Sequence, residues 1–167
     1  MIILASGRMP SSVRNLAGDI GASRYIICGN GTLIYDLQNE EIIYDAFMDK
    51  EKVLELIQEL NEKQTETICI EAKTAKNGKP EKYYDTISSF ANTMGGIILF
   101  GVEEKKRKNK TTFEVVGVYD ANDLQKNITN LCSTEFEPVI RPKINIINIE
   151  NENVVVVRID ALNQRNK

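Results

Sequence analysis

Five positive charges fall within six residues at Lys105-Lys106-Arg107-Lys108-Asn109-Lys110. A cluster this dense, just beyond an apolar run, suits contacts to phosphate oxygens that track a backbone without reading its sequence. It equally suits the solvated tip of a hairpin. Lys73, Lys76, Lys79 and Lys82 make a second basic series ahead of Tyr83-Tyr84. If both series share a face, they form an electropositive stripe on a chain whose formal net charge is −3.

The acids with chemical potential are Glu66 and Glu71, five residues apart. On one strand that odd spacing sends them to opposite faces, unless Glu66 lies before the strand begins. The plain expectation is a solvated edge glutamate at 66 and a structural glutamate at 71, paired with Lys73. Histidine is absent, which removes the usual general base, the Ser-His and Cys-His pairs and every His-ligated metal site. Cys28, Cys69 and Cys132 are odd in number and widely spaced, so neither a disulfide framework nor a zinc site is indicated, and a reduced cytosol is the natural setting. No Gly-x-x-x-x-Gly-Lys-Ser/Thr loop occurs, so ATP binding has no support.

The elements that must hold these residues follow from apolar periodicity. Residues 1–5 read as a strand and Pro10 to Ile20 as a short helix ending at Gly21. Tyr25 to Cys28, Thr32 to Tyr35 and Glu41 to Asp45 read as strands between glycine- and asparagine-bearing turns. Asp49 is a plausible N-cap for a helix over Lys50–Glu62, with Val53, Ile57 and Leu60 on one face. The polar run Asn61 to Thr65 is the best boundary, dividing a segment 1–62 from a domain 65–167.

Beyond that boundary the pattern predicts a strand (67–72), a polar loop (74–80), a helix (81–94) and a strand (97–102). A basic loop (103–111), a strand (112–119), a helix (121–133) and two strands (143–149 and 153–160) follow. Tyr84, Ile87, Ala91 and Met94 form the apolar stripe of the first helix, and Leu124, Ile128 and Leu131 that of the second. Gly95 stands where a left-handed helix end is wanted. Val154-Val155-Val156-Val157 is β-branched throughout and points to a central strand covered on both faces. No apolar run approaches the ~18–20 residues of a membrane span, so no membrane partner is expected. Charge divides unevenly: residues 1–64 carry 6 Lys/Arg against 10 Asp/Glu, whereas 65–167 carry 15 against 14. The acidic whole-chain value therefore masks a basic concentration in the second half.

Three segments taken in order support a resemblance: Glu66-Thr67-Ile68-Cys69-Ile70-Glu71-Ala72-Lys73, Phe90 to Val102 with Gly95-Gly96, and Phe113 to Asp120. Together they resemble the Schlafen-type AlbA-like domain, a nucleic-acid-binding module of bacterial regulators, over about 65–167. The resemblance implies a mixed α/β (α+β) sheet domain, a DNA or RNA partner, and transcription regulation in the cytoplasm. The two basic series then supply the expected nucleic-acid contacts: Lys73, Lys76, Lys79, Lys105, Lys106, Arg107, Lys108 and Lys110. Nuclease-active Schlafen proteins carry an acidic pair matching Glu66 and Glu71 and a third acid falling at Glu103 or Glu104. Three convergent carboxylates of that kind would bind magnesium or manganese and cleave RNA. Without that nuclease chemistry the expectation is no cofactor and no catalytic residue.

Residues 2–60 resemble the middle of a Cof-type haloacid-dehalogenase-like phosphatase. The matching pieces are Ile3-Leu4-Ala5-Ser6-Gly7-Arg8, the helix with Ser12-Val13 and Leu16-Ala17, and Ile27 to Asp36 with Asn30-Gly31. The resemblance makes Ser6, Gly7 and Arg8 a phosphate-holding element. The family's Asp-x-Asp-Gly-Thr nucleophile segment would lie upstream of Met1. The expectation is an incomplete Rossmann-like segment without phosphatase turnover, its phosphate element vestigial. A strand lacking its neighbour leaves an edge open to self-association.

Overall fold

The computed structural model describes residues 3–6, 10–21, 24–28, 33–45, 48–78, 80, 82–108 and 110–162. The chain divides into two compact units, Met1–Met48 and Asp49–Lys167. Both are mixed α/β, with parallel and antiparallel pairing in each principal sheet.

In the first unit, strand β1 (Leu4–Ala5) runs parallel to β2 (Tyr25–Cys28), with helix α1 (Pro10–Asp19) as the connection between them. Strands β3 (Leu33–Asp36) and β4 (Glu41–Asp45) extend the sheet antiparallel, in the order β1-β2-β3-β4. Pro10 opens α1, where its missing N–H is no loss. Val13 and Ala17, one turn apart on the helix, are buried with Ile26, Cys28 and Leu33. The β3–β4 turn is organised by Asp36, whose carboxylate accepts the backbone N–H groups of Gln38 and Asn39 at 2.9 and 3.3 Å. Arg24 grips both carboxylate oxygens at 2.5–3.0 Å.

That grip gives a pH prediction. The Arg24 guanidinium, helped by the two turn N–H groups, lowers the Asp36 carboxyl from 3.8 to about 2. A carboxyl held below its ordinary value stabilises the fold above that value, and the contribution disappears as pH falls through the folded value. The first unit should therefore lose stability between about pH 4 and pH 2. NMR cross-peaks of Ile26 and Tyr35 should weaken across that interval. In Asp36→Asn they should be weaker already at neutral pH and lack this acid step.

In the second unit, helix α2 (Lys50–Lys63) is capped by Asp49, which accepts the Lys52 N–H at 2.8 Å. It ends at Gln64 in a left-handed conformation and buries Val53, Ile57 and Leu60. Strand β5 (Ile70–Lys73) lies parallel to β6 (Gly96–Phe100), and helix α3 (Tyr83–Asn92) forms the crossover. Between β6 and the last strand come β7 (Val102–Arg107), β8 (Lys110–Val115), helix α4 (Ala121–Thr134) and β9 (Lys143–Ile149). Strand β10 (Glu152–Ile159) is antiparallel to both β6 and β9, in the order β5-β6-β10-β9. Ile98, Phe100, Val155, Val157 and Ile159 face Ile87, Phe90 and Ala91 of α3 and Leu124, Ile128 and Cys132 of α4. Val154 and Val156 alternate onto the other face and are equally buried, so β10 is central and covered on both sides.

Several elements differ from expectation. Of the expected strand over 1–5, Leu4–Ala5 is strand and Ile3 is not, while residues 1 and 2 lie outside the described residues. The expected strand over 67–72 begins only at Ile70, because Thr67 and Ile70 exchange backbone hydrogen bonds in a tight turn. The stripe of α3 is Ile87, Phe90 and Ala91, whereas Tyr84 and Met94 are exposed. Of the expected loop 103–111, residues 103–107 and 110–111 lie in a two-stranded ladder. Helix α2 belongs to the second unit, so the units divide at Met48/Asp49 where the composition suggested 62–65.

Candidate functional site

Strands β7 and β8 pair antiparallel from Val102↔Val115 to Arg107↔Lys110. Side chains alternate across a strand, so Glu104 and Lys106 share a face with Thr111 and Phe113, while Glu103, Lys105 and Arg107 share the other with Lys110 and Glu114. Phe113 is buried, and Asn61 of α2 fixes the ladder there, donating to the Phe113 carbonyl and accepting its N–H, both at 2.9 Å. The opposite face points outward. The like-charged pair Glu103↔Glu114 sits directly across it, and Lys105 neutralises both, at 2.6 Å from Glu114 and 3.8 Å from Glu103. Lys106 pairs with Glu104 at 3.1 Å. Two of the five hairpin cations expected to meet phosphate are thus committed to carboxylates. Arg107, Lys108 and Lys110 are exposed, and among the described residues none is within ion-pair distance of a carboxylate.

The acidic group sits against strand β5. Glu66 precedes the strand, so the opposite-face rule does not govern it, and its carboxylate accepts the Ala72 backbone N–H at 2.8 Å. Ala72 is in the edge strand of the sheet, and Glu66 thereby occupies an edge donor that would otherwise be open. Burial raises the Glu66 carboxyl above its ordinary value, with Glu71 and Glu104 adding to the rise, while the Ala72 N–H and Lys73 oppose it. Of Glu103 and Glu104, it is the charge of Glu104 that contributes to this rise. Glu71 forms an ion pair with Lys73 two residues on, at 2.5 Å, and accepts the Thr86 hydroxyl from α3 at 3.0 Å. These bonds tie the strand to the crossover helix, as a structural glutamate would. Thr86 had no signal in the sequence. Among the described residues no group of three or more acids, cysteines or histidines is placed to hold a metal ion.

The segment after β5 forms a surface cleft of about 540 Å³ lined by Lys73, Thr74, Ala75, Lys76, Asn77 and Gly78, together with Ala72 and Pro80. It is anchored by backbone bonds from Gly101 N–H to the Lys73 carbonyl at 2.8 Å and from Tyr119 N–H to the Ala75 carbonyl at 3.1 Å. Lys73 is mostly buried in its pair with Glu71 and contributes little free charge, whereas Lys76 is exposed. Lys79 lies outside the described residues.

In the first unit, Ser6 follows β1 and its N–H donates to the Ile27 carbonyl at 2.9 Å. Gly7, Arg8 and the Asn30-Gly31 pair lie outside the described residues. Asp36 is buried, and both its carboxylate oxygens already accept hydrogen bonds from Arg24, Gln38 and Asn39. It is thus neither an available nucleophile nor an available metal ligand. Among the described residues no group of three or more acids, cysteines or histidines is placed to form the magnesium site expected of an aspartyl-transfer phosphatase.

No curated protein matches the chain significantly. A solved structure similar to it is the solution NMR structure of the N-terminal domain of a Nitrosomonas europaea protein named as an ATP-dependent DNA helicase RecG-related protein. The identity is 25%, the TM-score 0.58, and the likeness covers 68% of this chain and 75% of that one. The first unit holds only 48 residues, so most of that likeness falls in the second. The model of the haloacid dehalogenase-like hydrolases matches residues 1–160, through both units, and the chain belongs to that family.

Proposed function

We propose that the chain binds nucleic acid, DNA by default, as a Schlafen-type AlbA-like module of a bacterial regulator acting in the cytoplasm. Contact is to the phosphate backbone through the β7–β8 hairpin. The observation that carries this reading is the set of three uncommitted cations, Arg107, Lys108 and Lys110, at the end of a rigidly anchored ladder. Cations already paired with carboxylates gain little from a phosphate, whereas uncommitted ones release counterions when they meet it. The similar Nitrosomonas protein carries a DNA helicase in its name, which supports the same substrate class. Fluorescence anisotropy with a labelled DNA duplex tests the reading. Affinity should fall linearly, on logarithmic axes, with rising salt and show little dependence on base sequence. Absence of binding at low salt would overturn it.

Family membership raises the question of hydrolysis, and here the proposal is negative. Aspartyl phosphoryl transfer needs a free carboxylate nucleophile beside a metal, and the buried Asp36 carboxylate is not free, being held by Arg24. Assay with a generic phosphomonoester and magnesium should give background rates, unchanged by Ser6→Ala. Turnover that Ser6→Ala abolishes would restore the phosphatase reading.

A further inference from the structure

Tyr119 is 81% exposed, the most exposed of the large apolar or aromatic residues described. The other two tyrosines of the second unit are otherwise engaged. Tyr83 packs edge-on against Phe100 with ring centroids 5.8 Å apart, and Tyr84 stacks on Phe136 at 4.7 Å. No ring or hydrogen-bond partner of the Tyr119 side chain is found among the described residues. Yet its backbone is firmly placed. Val118 bridges Ala75 in parallel, and the Tyr119 N–H donates to the Ala75 carbonyl. Asp120, the next residue, is occupied as the N-cap of α4, accepting the Asp123 N–H at 2.9 Å.

The result is a bare aromatic ring on a fixed backbone, beside the cleft segment that carries exposed Lys76, Asn77 and Thr74. An exposed aromatic next to a cation and hydrogen-bonding side chains is the arrangement that stacks an unpaired base while its phosphate is held alongside. A duplex offers no such base face, because its bases are stacked on each other. We propose that Tyr119 is a base-stacking residue that gives the chain affinity for single-stranded DNA beyond what the hairpin cations supply. This rests on the nucleic-acid reading above and adds the strand class to it.

The chain contains no tryptophan, so Tyr119→Trp places a single reporter at the site. The position is exposed, and the exchange should leave folding intact. Titration with an oligothymidylate of about 12 nucleotides should quench its fluorescence, and titration with a duplex of similar length should not. Tyr119→Ala should weaken oligothymidylate binding by about 5- to 150-fold and leave duplex affinity and the salt slope unchanged. Tyr119→Phe, which keeps the ring, should bind like the native chain. If Tyr119→Ala binds both probes like the native chain, or loses affinity for both equally, the stacking role is overturned and the hairpin reading stands. If the native chain binds neither probe, both are overturned.

Discussion

Gly95→Ala should cost the second unit about 2–4 kcal/mol and lower its urea midpoint on the order of 1–2 M. Gly95 closes helix α3 with φ +79° and donates its N–H to the Phe90 carbonyl at 2.9 Å. A side chain in this left-handed region is strained by roughly 1 kcal/mol even where space is free. Here space is not free. A Cβ would lie 2.7 Å from the Ile159 carbonyl oxygen and 3.1 Å from the Ala161 nitrogen, both backbone atoms that cannot swing aside. Ile159 is the residue of β10 that pairs with Gly96, so relief would come only by parting β10 from β6 in the centre of the sheet. Gly78→Ala is the control. That residue has φ +115° but nothing within 4 Å of a Cβ, so it should show the conformational strain alone. Equal midpoints for the two variants would mean that the helix-to-strand junction is not the close contact described.

Much of this architecture was legible because its causes are local. Asp49 precedes an apolar stripe at helical spacing, and it caps α2. Four consecutive β-branched residues at 154–157 can pack only where both faces are covered, and β10 is that strand. Glu71 and Lys73 sit two apart, which on any strand puts them on one face, and they form the ion pair expected. The misread parts depend on partners distant in sequence. The 103–111 segment has no apolar alternation, since one face of its strand holds Glu104 and Lys106 and the other Glu103 and Lys105. Its strand character comes from pairing with β8 and from Asn61, 52 residues before Phe113. The same clamp joins α2 to the second unit across a polar stretch that reads as a linker. Tyr83 and Tyr84 are adjacent and alike, so composition cannot say which ring enters the core.

The candidate site shows the same division. The density of charge at 105–110 was plain, but which charges remain available was not. Ion pairing sorts them, and it could be read only once Glu103, Glu104 and Glu114 had been placed against Lys105 and Lys106. Glu66 was ambiguous for a related reason. Its spacing from Glu71 has meaning only if both lie on the strand, and a tight turn at Thr67–Ile70 keeps Glu66 off it.

That sorting gives the prediction with the largest effect on function. Arg107→Ala/Lys108→Ala/Lys110→Ala removes three uncommitted cations from the hairpin end. Each duplex phosphate contact contributes about 0.9 to the slope of log affinity against log salt, so the slope should flatten by about 3. The electrostatic term vanishes near 1 M salt, and the same arithmetic makes binding at about 0.1 M roughly 10²–10³-fold weaker. All three side chains are exposed, so thermal stability should change little. The informative partner is Lys105→Gln/Glu114→Gln, which deletes a pair held at 2.6 Å without altering net charge. A pair already satisfied internally releases few counterions on meeting DNA, and this variant should keep both the affinity and the slope of the native chain. If the pair variant weakens binding as much as the triple variant, the contact surface is the middle of the ladder, not its end. If neither variant changes binding, the hairpin is not the interface, and the lysines of the 73–78 segment become the place to look.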